Sequence, residues 1–126
     1  MILTNEEREK IWGETGPYSE VYFIIETRIL DDETSRMFLK VEVTINPFTF
    51  EFIQKHKEHF TRNKRILDIL QYGRYVDEKQ GYHAPLFCVP YDRDMLEIGT
   101  KVLNETEIAI KKMHTYIMNN LDRYHN

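Results

Sequence analysis

Two alternating apolar runs, joined by a short acidic turn, constrain the fold of this chain more than any other feature. The first run covers residues 21–30, the second covers residues 36–45, and the turn between them carries three carboxylates. Both runs are rich in Val, Ile, Phe and Thr, which is typical of strands, and the second alternates between apolar and polar residues. We therefore predict a β-hairpin over residues 20–45 with one apolar face.

The register of this hairpin follows from its turn if Leu30 pairs with Arg36. This pairing places apolar residues opposite one another along one face, and a slip of one residue would place apolar against polar. The predicted apolar pairs are Val21–Ile45, Phe23–Val43, Ile25–Val41 and Ile29–Met37, and the opposite face pairs Glu26 with Lys40 and Arg28 with Phe38.

Composition places the chain among small globular proteins. Its 126 residues are 41% hydrophobic and 30% charged, so we predict one domain spanning residues 1–126. The net charge of −4 argues against duplex nucleic acid as a partner, because such binding needs a broad basic surface. No apolar run is long enough for a membrane helix. Cys88 is the single cysteine and the first residues lack a signal-peptide pattern, so we expect a reducing, cytoplasmic compartment.

Helix signals stand on both sides of the hairpin. Thr4 and Glu7 form a capping-box pattern that predicts a short helix over residues 5–12. Asn46 followed by Pro47 predicts the start of a second helix that ends near residue 60. The predicted core side of this middle helix carries Phe48, Phe52, Ile53 and Phe60, with Phe50 off the stripe.

A second hairpin is predicted after the middle helix. Residues 61–72 fit either a helix or a strand, and we favour a strand over residues 67–76 because a turn signal follows at residues 77–81. The next run, residues 82–90, contains Pro85 and is therefore an edge strand or a bulged strand. Residues 73–78 resemble residues 27–32, a weak sign of internal repetition.

The last third of the chain has a helical period. Asp92 suits a cap, and we predict a helix from Arg93 to Tyr124, with a break near Asn104. Two roles stay open for its apolar stripe: it covers the chain's own sheet, or it forms a homo-oligomer through the C-terminal helix. The stripe contains Leu96, Leu103, Ile110, Met113, Ile117 and Leu121.

The predicted fold class is thus α+β: a four-stranded, mostly antiparallel sheet from two β-hairpins in the order ββαββα, with a short N-terminal helix. The middle helix and the long C-terminal helical segment are expected to pack on one face of the sheet.

The sequence carries no known catalytic motif, phosphate-binding glycine loop or metal-ligand pattern, so we predict no cofactor and no metal site. His56 and His59 have a spacing that suits metal ligands but lack a second pair, so we interpret them as a partly buried and a solvated histidine. Cys88 lies in an apolar run and is interpreted as a buried core residue. Asp92 and Asp94 are interpreted as helix caps.

The candidate binding residues mix aromatic rings with basic groups, a combination that binds anionic or stacked ligands and is enriched at protein interfaces. They stand in the two predicted hairpins. The first contributes Tyr22, Arg28, Phe38 and Lys40, and the second contributes Tyr72, Arg74, Tyr82 and His83.

Three functions follow from these residues. The first is a non-enzymatic binding or inhibitor protein, of the immunity, antitoxin or phage counter-defence kind, that sequesters a protein partner. The second is an oligomeric protein that sequesters a small anionic ligand, such as a nucleotide or a phosphorylated compound. The third is a small enzyme using His83, Asp92 or Asp94. The absence of catalytic motifs favours the first.

Overall fold

The computed structural model describes residue 6 and residues 19–124, with side chains described up to residue 120. The four strands form one antiparallel sheet in the order β1-β2-β4-β3. Helices cover one face, which we call the inner face, and the opposite one is the outer face. The predicted α+β class is confirmed, whereas the predicted N-terminal helix lies outside the described residues apart from Glu6. In chain order the elements are β1 (Ser19–Ile29), β2 (Ser35–Ile45), α1 (Pro47–Lys55), a 3₁₀ helix (Lys57–Phe60), α2 (Lys64–Tyr72), β3 (Arg74–Asp77), β4 (Gly81–Pro90) and α3 (Arg93–Tyr124).

The first hairpin forms as predicted, but its register was wrong by two residues. Val21 pairs with Val43 rather than Ile45, and Ile25 pairs with Leu39 rather than Val41. The side-chain faces survive this error because the period of a strand is two, so a shift of two residues keeps every side chain on its own face.

The turn explains the observed register. Leu30 donates its N–H to the carbonyl of Thr34 at 2.8 Å, so the loop holds only three residues between them. Glu33 completes the loop in the left-handed region at φ 68°, as the third residue of such loops does. Asp32 stabilises this geometry, because its carboxylate accepts hydrogen bonds from both the N–H and the hydroxyl of Thr34.

A bulge in β4 changes which of its side chains face the helices. Val41 pairs with Phe87 and Glu42 pairs with Pro85, so Leu86 is the extra residue. Pro85 was predicted to mark an edge strand or a bulge, and the bulge is confirmed. The extra residue shifts the alternation by one, which directs Cys88 outward. Our interpretation of Cys88 as a buried core residue was therefore wrong, because its side chain is exposed.

The middle helix begins where Asn46 and Pro47 predicted. The Asn46 side chain accepts from the N–H of Phe48 at 2.8 Å, and α1 ends at Lys55, followed by the 3₁₀ helix up to Phe60. The prediction that Phe50 lies off the buried side was wrong. Phe50 is buried and its ring stacks on Tyr82 with centroids 3.8 Å apart, because β4 covers the second side of this helix.

The favoured strand over residues 67–76 was wrong for most of its length. Residues 64–72 form α2, and only residues 74–77 form a strand. The Asn63 side chain caps this helix by accepting from the N–H of Ile66 at 3.1 Å. Arg65 then ties α2 to α3 through a 2.9 Å contact with Glu105. Helical burial of Ile66 and Ile69 decided the conformation of this ambiguous stretch.

The C-terminal helix is continuous, so the predicted break near Asn104 is not formed. Asp92 caps it by accepting from the N–H of Met95 at 2.9 Å, as predicted. Its 32 residues span about 48 Å at the usual rise. Three residues of its predicted stripe, Ile110, Met113 and Ile117, are buried in the chain's own core, and Leu96 and Leu103 are partly buried. The stripe thus packs on the chain's own fold, and a homo-oligomer through the C-terminal helix stays a prediction.

Candidate functional site

The outer face of the sheet carries most of the charged and aromatic groups that the sequence singled out. Even-numbered residues of β1 and β2 lie on this face, and the bulge adds His83 and Cys88 from β4. The helices pack on the opposite side, against Val43, Ile45 and Ala84. The outer face is thus the surface of the sheet that the described helices leave open.

Five side chains, linked by ion pairs and a hydrogen bond, form a row that runs diagonally over three strands. Arg28 contacts Glu26 at 3.0 Å, and Glu26 contacts Lys40 at 3.5 Å. Lys40 contacts Glu42 at 2.7 Å, and Glu42 contacts the Nε2 atom of His83 at 3.1 Å. We call these five residues the charge row. Lys40 lies between the carboxylates of Glu26 and Glu42, and each carboxylate has a second partner at its other side, so the side chains of the row hold one another in place before any partner arrives.

Glu42 is the most buried member of the charge row, with 9% of its surface exposed. Burial by itself would raise the pKa of this carboxyl, but the Lys40 ammonium and the His83 ring together hold the pKa below its ordinary value. The same ion pair raises the pKa of Lys40. Glu42 and Lys40 are therefore both charged at neutral pH.

Arg28 occupies the other end of the charge row, near the hairpin tip. Its guanidinium lies over the ring of Phe38, 4.7 Å from the centroid, and its Nη2 atom lies 4.0 Å from the sulfur of Cys88. The hydrogen bond to Glu26 raises the pKa of Arg28 further. This end combines a cation, an aromatic ring and a thiol on an exposed surface.

A cavity of about 280 Å³ opens on the outer face beside Glu42. Its volume lies just below the usual range for small-molecule pockets, roughly 300–1,000 Å³. The hydroxyl of Tyr22 donates to Glu20, which fixes the ring at the wall and raises the pKa of the phenol. Besides Tyr22, the residues that line this cavity are Ile24, Glu42, Thr44, Val76, Gln80 and His83.

The structure brings five of the eight predicted binding residues onto the outer face of β1, β2 and β4. These are Tyr22, Arg28, Phe38, Lys40 and His83. The placement of the other three differs from the aromatic and basic cluster that we predicted.

Tyr82 lies on the inner face, since it pairs with Ile45 and stacks on Phe50. Tyr72 is the last residue of α2 and is exposed, so it does not belong to a strand of the outer face. Arg74 pairs with His83 at the β3 edge, and its guanidinium donates to the carbonyls of Gln71 and Gly73.

Arg28 and Arg74, which the sequence placed in two similar hairpins, lie at opposite corners of the sheet. Arg74 is level with Glu20 across the strands, whereas Arg28 lies eight residues further along β1. Strand spacing and rise give about 14 Å across and about 26 Å along the sheet, or about 30 Å between the two Cα atoms. These two arginines of one chain therefore do not share one small ligand.

Glu26, Glu42 and Cys88 contribute to the outer-face contacts but were not among the eight predicted site residues. Alternation in β2 already placed Glu42 beside Lys40, but its burial depends on the approach of His83 from β4. Nothing in the sequence locates the bulge at Leu86 beyond the presence of Pro85, so the outward direction of Cys88 was not predictable.

The other chemical candidates have structural roles. The His56 Nδ1 atom lies 2.7 Å from the carbonyl of Phe52, and His59 is exposed, as interpreted from the sequence. Among residue 6 and residues 19–124, three or more His, Cys, Asp or Glu side chains do not gather in an arrangement that fits a metal ion. The described helices also lack a stretch long and apolar enough to cross a membrane.

Comparisons with known proteins do not add to this description. The chain matches no protein-family model, no curated protein and no solved structure.

Proposed function

We propose that this protein is a non-catalytic binding protein that recognises a protein partner through the outer face of its sheet. The observation that carries the proposal is the charge row on a sheet face that the described helices leave open. Its side chains are already ordered by one another, so less conformational freedom is lost when a partner binds.

The composition of this face supports a protein partner. Tyr22 is 42% exposed, and Arg28 and Phe38 lie together near the tip. Tyrosine and arginine are enriched among the residues that dominate protein interfaces. The acidic turn at residues 31–33 extends from the same hairpin and would speed association with a basic surface, as an inhibitor or immunity protein requires.

The charge row also argues for binding rather than catalysis. Lys40 and Glu42 are paired with each other, and this pairing moves the pKa of each away from neutral pH, whereas an efficient general acid or base has a pKa near the working pH. His83, Asp92 and Asp94 do not form a common cleft, because Asp92 caps α3 and His83 lines the cavity at the other end of β4.

A capture experiment tests the proposal. The tagged protein and an outer-face double variant, Tyr22→Ala with Arg28→Ala, are each used to capture proteins at modest salt from cells that naturally produce the chain. A second double variant, Lys111→Ala with Lys112→Ala on the exposed side of α3, is the matched control.

The proposal predicts one stoichiometric protein captured by the unchanged chain and by the α3 control, with about 30-fold or greater loss of affinity in the outer-face variant if the replaced pair contributes 2 kcal/mol or more. Equal affinity for all three proteins would contradict it, as would the absence of any stoichiometric partner. Circular dichroism and thermal unfolding establish that the variants fold.

The cavity beside Glu42 supports a second candidate, a small ligand. The oxygen atoms of Glu42, Gln80 and Thr44, which line the cavity, suit a ligand with N–H donors. A phosphate group fits less well, because the described residues that line the cavity include no lysine or arginine, and Lys40, which contacts Glu42, is already paired with Glu26 and Glu42. A thermal-shift screen of nucleosides, nucleotides and small amines checks this candidate. A rise in Tm for nucleosides or amines that is lost in Glu42→Gln would support it, and a flat response would oppose it.

A further inference from the structure

Among residue 6 and residues 19–124, β1 is an edge strand of the sheet, and its free edge is long and weakly guarded. β1 is the first strand of the sheet, and its register with β2 runs from Ser19 to Ile29 without a bulge. Natural edge strands usually carry a proline, a bulge or an inward-pointing charge that blocks further pairing. The inner-face side chains of β1 are Ser19, Val21, Phe23, Ile25, Thr27 and Ile29, and none of these carries a charge.

The part of this edge near the hairpin tip exposes apolar surface. Ile25 is 52% exposed and Ile29 is 81% exposed, although both lie on the face that the helices cover further along the strand. Met37, which pairs with Thr27 on the neighbouring strand, is 42% exposed. Two β-branched apolar residues on an open strand edge are typical of a surface that pairs with another chain.

The backbone of the same residues points toward the open edge. Leu30 donates to Thr34 across the hairpin, so even-numbered residues of β1 bond to β2. Alternation of an antiparallel ladder then directs the N–H and C=O groups of Ile25, Thr27 and Ile29 outward. The opposite edge of β2 agrees with this assignment, because the carbonyl of Met37 accepts from Tyr91 on the β4 side.

We propose that residues 25–29 of β1 pair with the same residues of a second copy of this chain, antiparallel about a two-fold axis at Thr27. In this arrangement Ile25 lies opposite Ile29 of the second copy on the inner face. On the outer face, Glu26 lies opposite Arg28 of the second copy. Each of these contacts occurs twice, as the symmetry of a dimer requires.

The charges select this register among its neighbours. An axis at Glu26 places that carboxylate opposite its own copy, and an axis at Arg28 does the same for the guanidinium, which is unfavourable. An axis at Ile25 places Arg28 opposite Tyr22, so Arg28 would not face a carboxylate of the second copy. The contacts of Glu26 with described residues both use Oε2, which leaves Oε1 for the guanidinium of the second copy.

This dimer does not rest on the proposed function, and it differs from the oligomer predicted through the C-terminal helix. It joins the two sheets at their β1 edges. The buried stripe of α3 takes no part in it.

Mass measurement over a range of concentrations tests the dimer. Sedimentation equilibrium of the unchanged chain is expected to show a rise from 15.3 kDa toward twice that mass. Ile29→Lys places a charge on the inner face at the exposed edge of β1 and should keep the chain monomeric. A monomer at all concentrations would overturn the proposal, and so would a dimer that is unaffected by Ile29→Lys.

Charge reversal tests the register independently of folding. Arg28→Glu places two carboxylates opposite each other and should weaken association at least tenfold. Adding Glu26→Arg to this variant exchanges the two charges and should restore most of the association. Failure of the double variant to recover would reject the axis at Thr27.

Disulfide cross-linking shows directly which residue lies next to its own copy at the two-fold axis. In a Cys88→Ser background, Thr27→Cys should form a symmetric disulfide dimer under mild oxidation, because paired strand residues have Cα atoms about 5.5 Å apart. Ile25→Cys in the same background is the matched control and should cross-link poorly. Preferential cross-linking of the Ile25 variant would move the axis and refute the proposed pairing.

Discussion

The two ends of the first hairpin have the same alternating sequence pattern but very different surroundings. Near the base, Val43 and Ile45 are buried beneath α1 and α3, with at most 1% of their surface exposed. Near the tip, Ile25 and Ile29 lie on the same face of the same hairpin and are mostly exposed. Alternation therefore determines which side of a strand a residue occupies, whereas the reach of the helices determines whether that side is buried.

The outer face shows the same difference in its charges. Glu42, toward the base, is almost buried and is held by Lys40 and His83, whereas Glu26, toward the tip, is exposed and pairs with Arg28. The base is thus a buried and ion-paired part of the fold, and the tip carries the surfaces that we assign to partners. Each prediction below compares a residue at one end with a matched residue at the other.

The largest expected effect concerns a pair of isoleucines. Ile45→Ala, at the buried base, should lower the free energy of unfolding by about 2–5 kcal/mol because it leaves a cavity in the core. Ile29→Ala, at the exposed tip, should change it by less than about 0.5 kcal/mol. Urea unfolding at low protein concentration measures both. Similar losses for the two variants would show that the tip is packed as tightly as the base.

The two turns with positive φ give the next contrast. Gly81 joins β3 to β4 at φ 72°, and an added Cβ would collide with the carbonyl of Ile45, so Gly81→Ala should destabilise by at least about 1–3 kcal/mol. Glu33 has φ 68° in the exposed tip turn, so Glu33→Gly relieves strain and should stabilise by up to about 1 kcal/mol. Thermal unfolding measures both. A stabilising Gly81→Ala would contradict the assigned turn geometry.

Removal of one carboxylate charge compares the two halves of the charge row. Glu42→Gln should cost about 1–3 kcal/mol, because it takes a charged partner from Lys40 and His83 in a nearly buried position. Glu26→Gln, the exposed control, should cost less.

The effect of Glu42→Gln on the free energy of unfolding should also depend on pH. The pKa of Glu42 is lowered in the folded state, so its contribution is present above the ordinary glutamate pKa and is lost as the pH falls through the folded value. The free energies of unfolding of the unchanged chain and of Glu42→Gln, measured between pH 3 and pH 7, should therefore converge at the acidic end. A constant difference over this range would refute the assigned charge pairing.

The smallest expected effect belongs to His114, which lies in α3 near the start of β1. Its Nε2 atom is 3.4 Å from the hydroxyl of Ser19, and burial lowers the pKa of its ring. The unfolded chain then binds more protons than the folded chain below about pH 6.5. Stability should therefore fall as the pH drops from 6.5 toward the folded pKa, and His114→Gln should remove this part of the slope. An unchanged slope would contradict the assignment.

Local patterns predicted the elements that have strong boundary signals. Asn46 and Pro47 start α1, Asp92 starts α3, and Pro85 marks the bulged strand, because caps and missing donors act within a few residues. The ambiguous stretch at residues 64–72 was assigned to a strand because its pattern suits both structures. Packing of Ile66 and Ile69 into the core made it a helix.

The candidate site was predicted in part for the same reason. The first hairpin contains four of the candidate site residues, so the sequence placed them together correctly: Tyr22, Arg28, Phe38 and Lys40. The two-residue error in register left the face of each side chain unchanged. Tyr82 was misplaced because its role depends on Phe50 in α1, a contact between distant segments.

By itself, the sequence determined the α+β class, the faces of the first hairpin and the starts of two helices, since these follow from periodicity and local hydrogen bonding. Only the tertiary structure decided the three-residue loop, the bulge that turns Cys88 outward, the burial of Glu42 and the exposure of Ile25 and Ile29. Each of these depends on where one segment ends relative to another. That relation is set by packing over the whole chain, which no local pattern encodes.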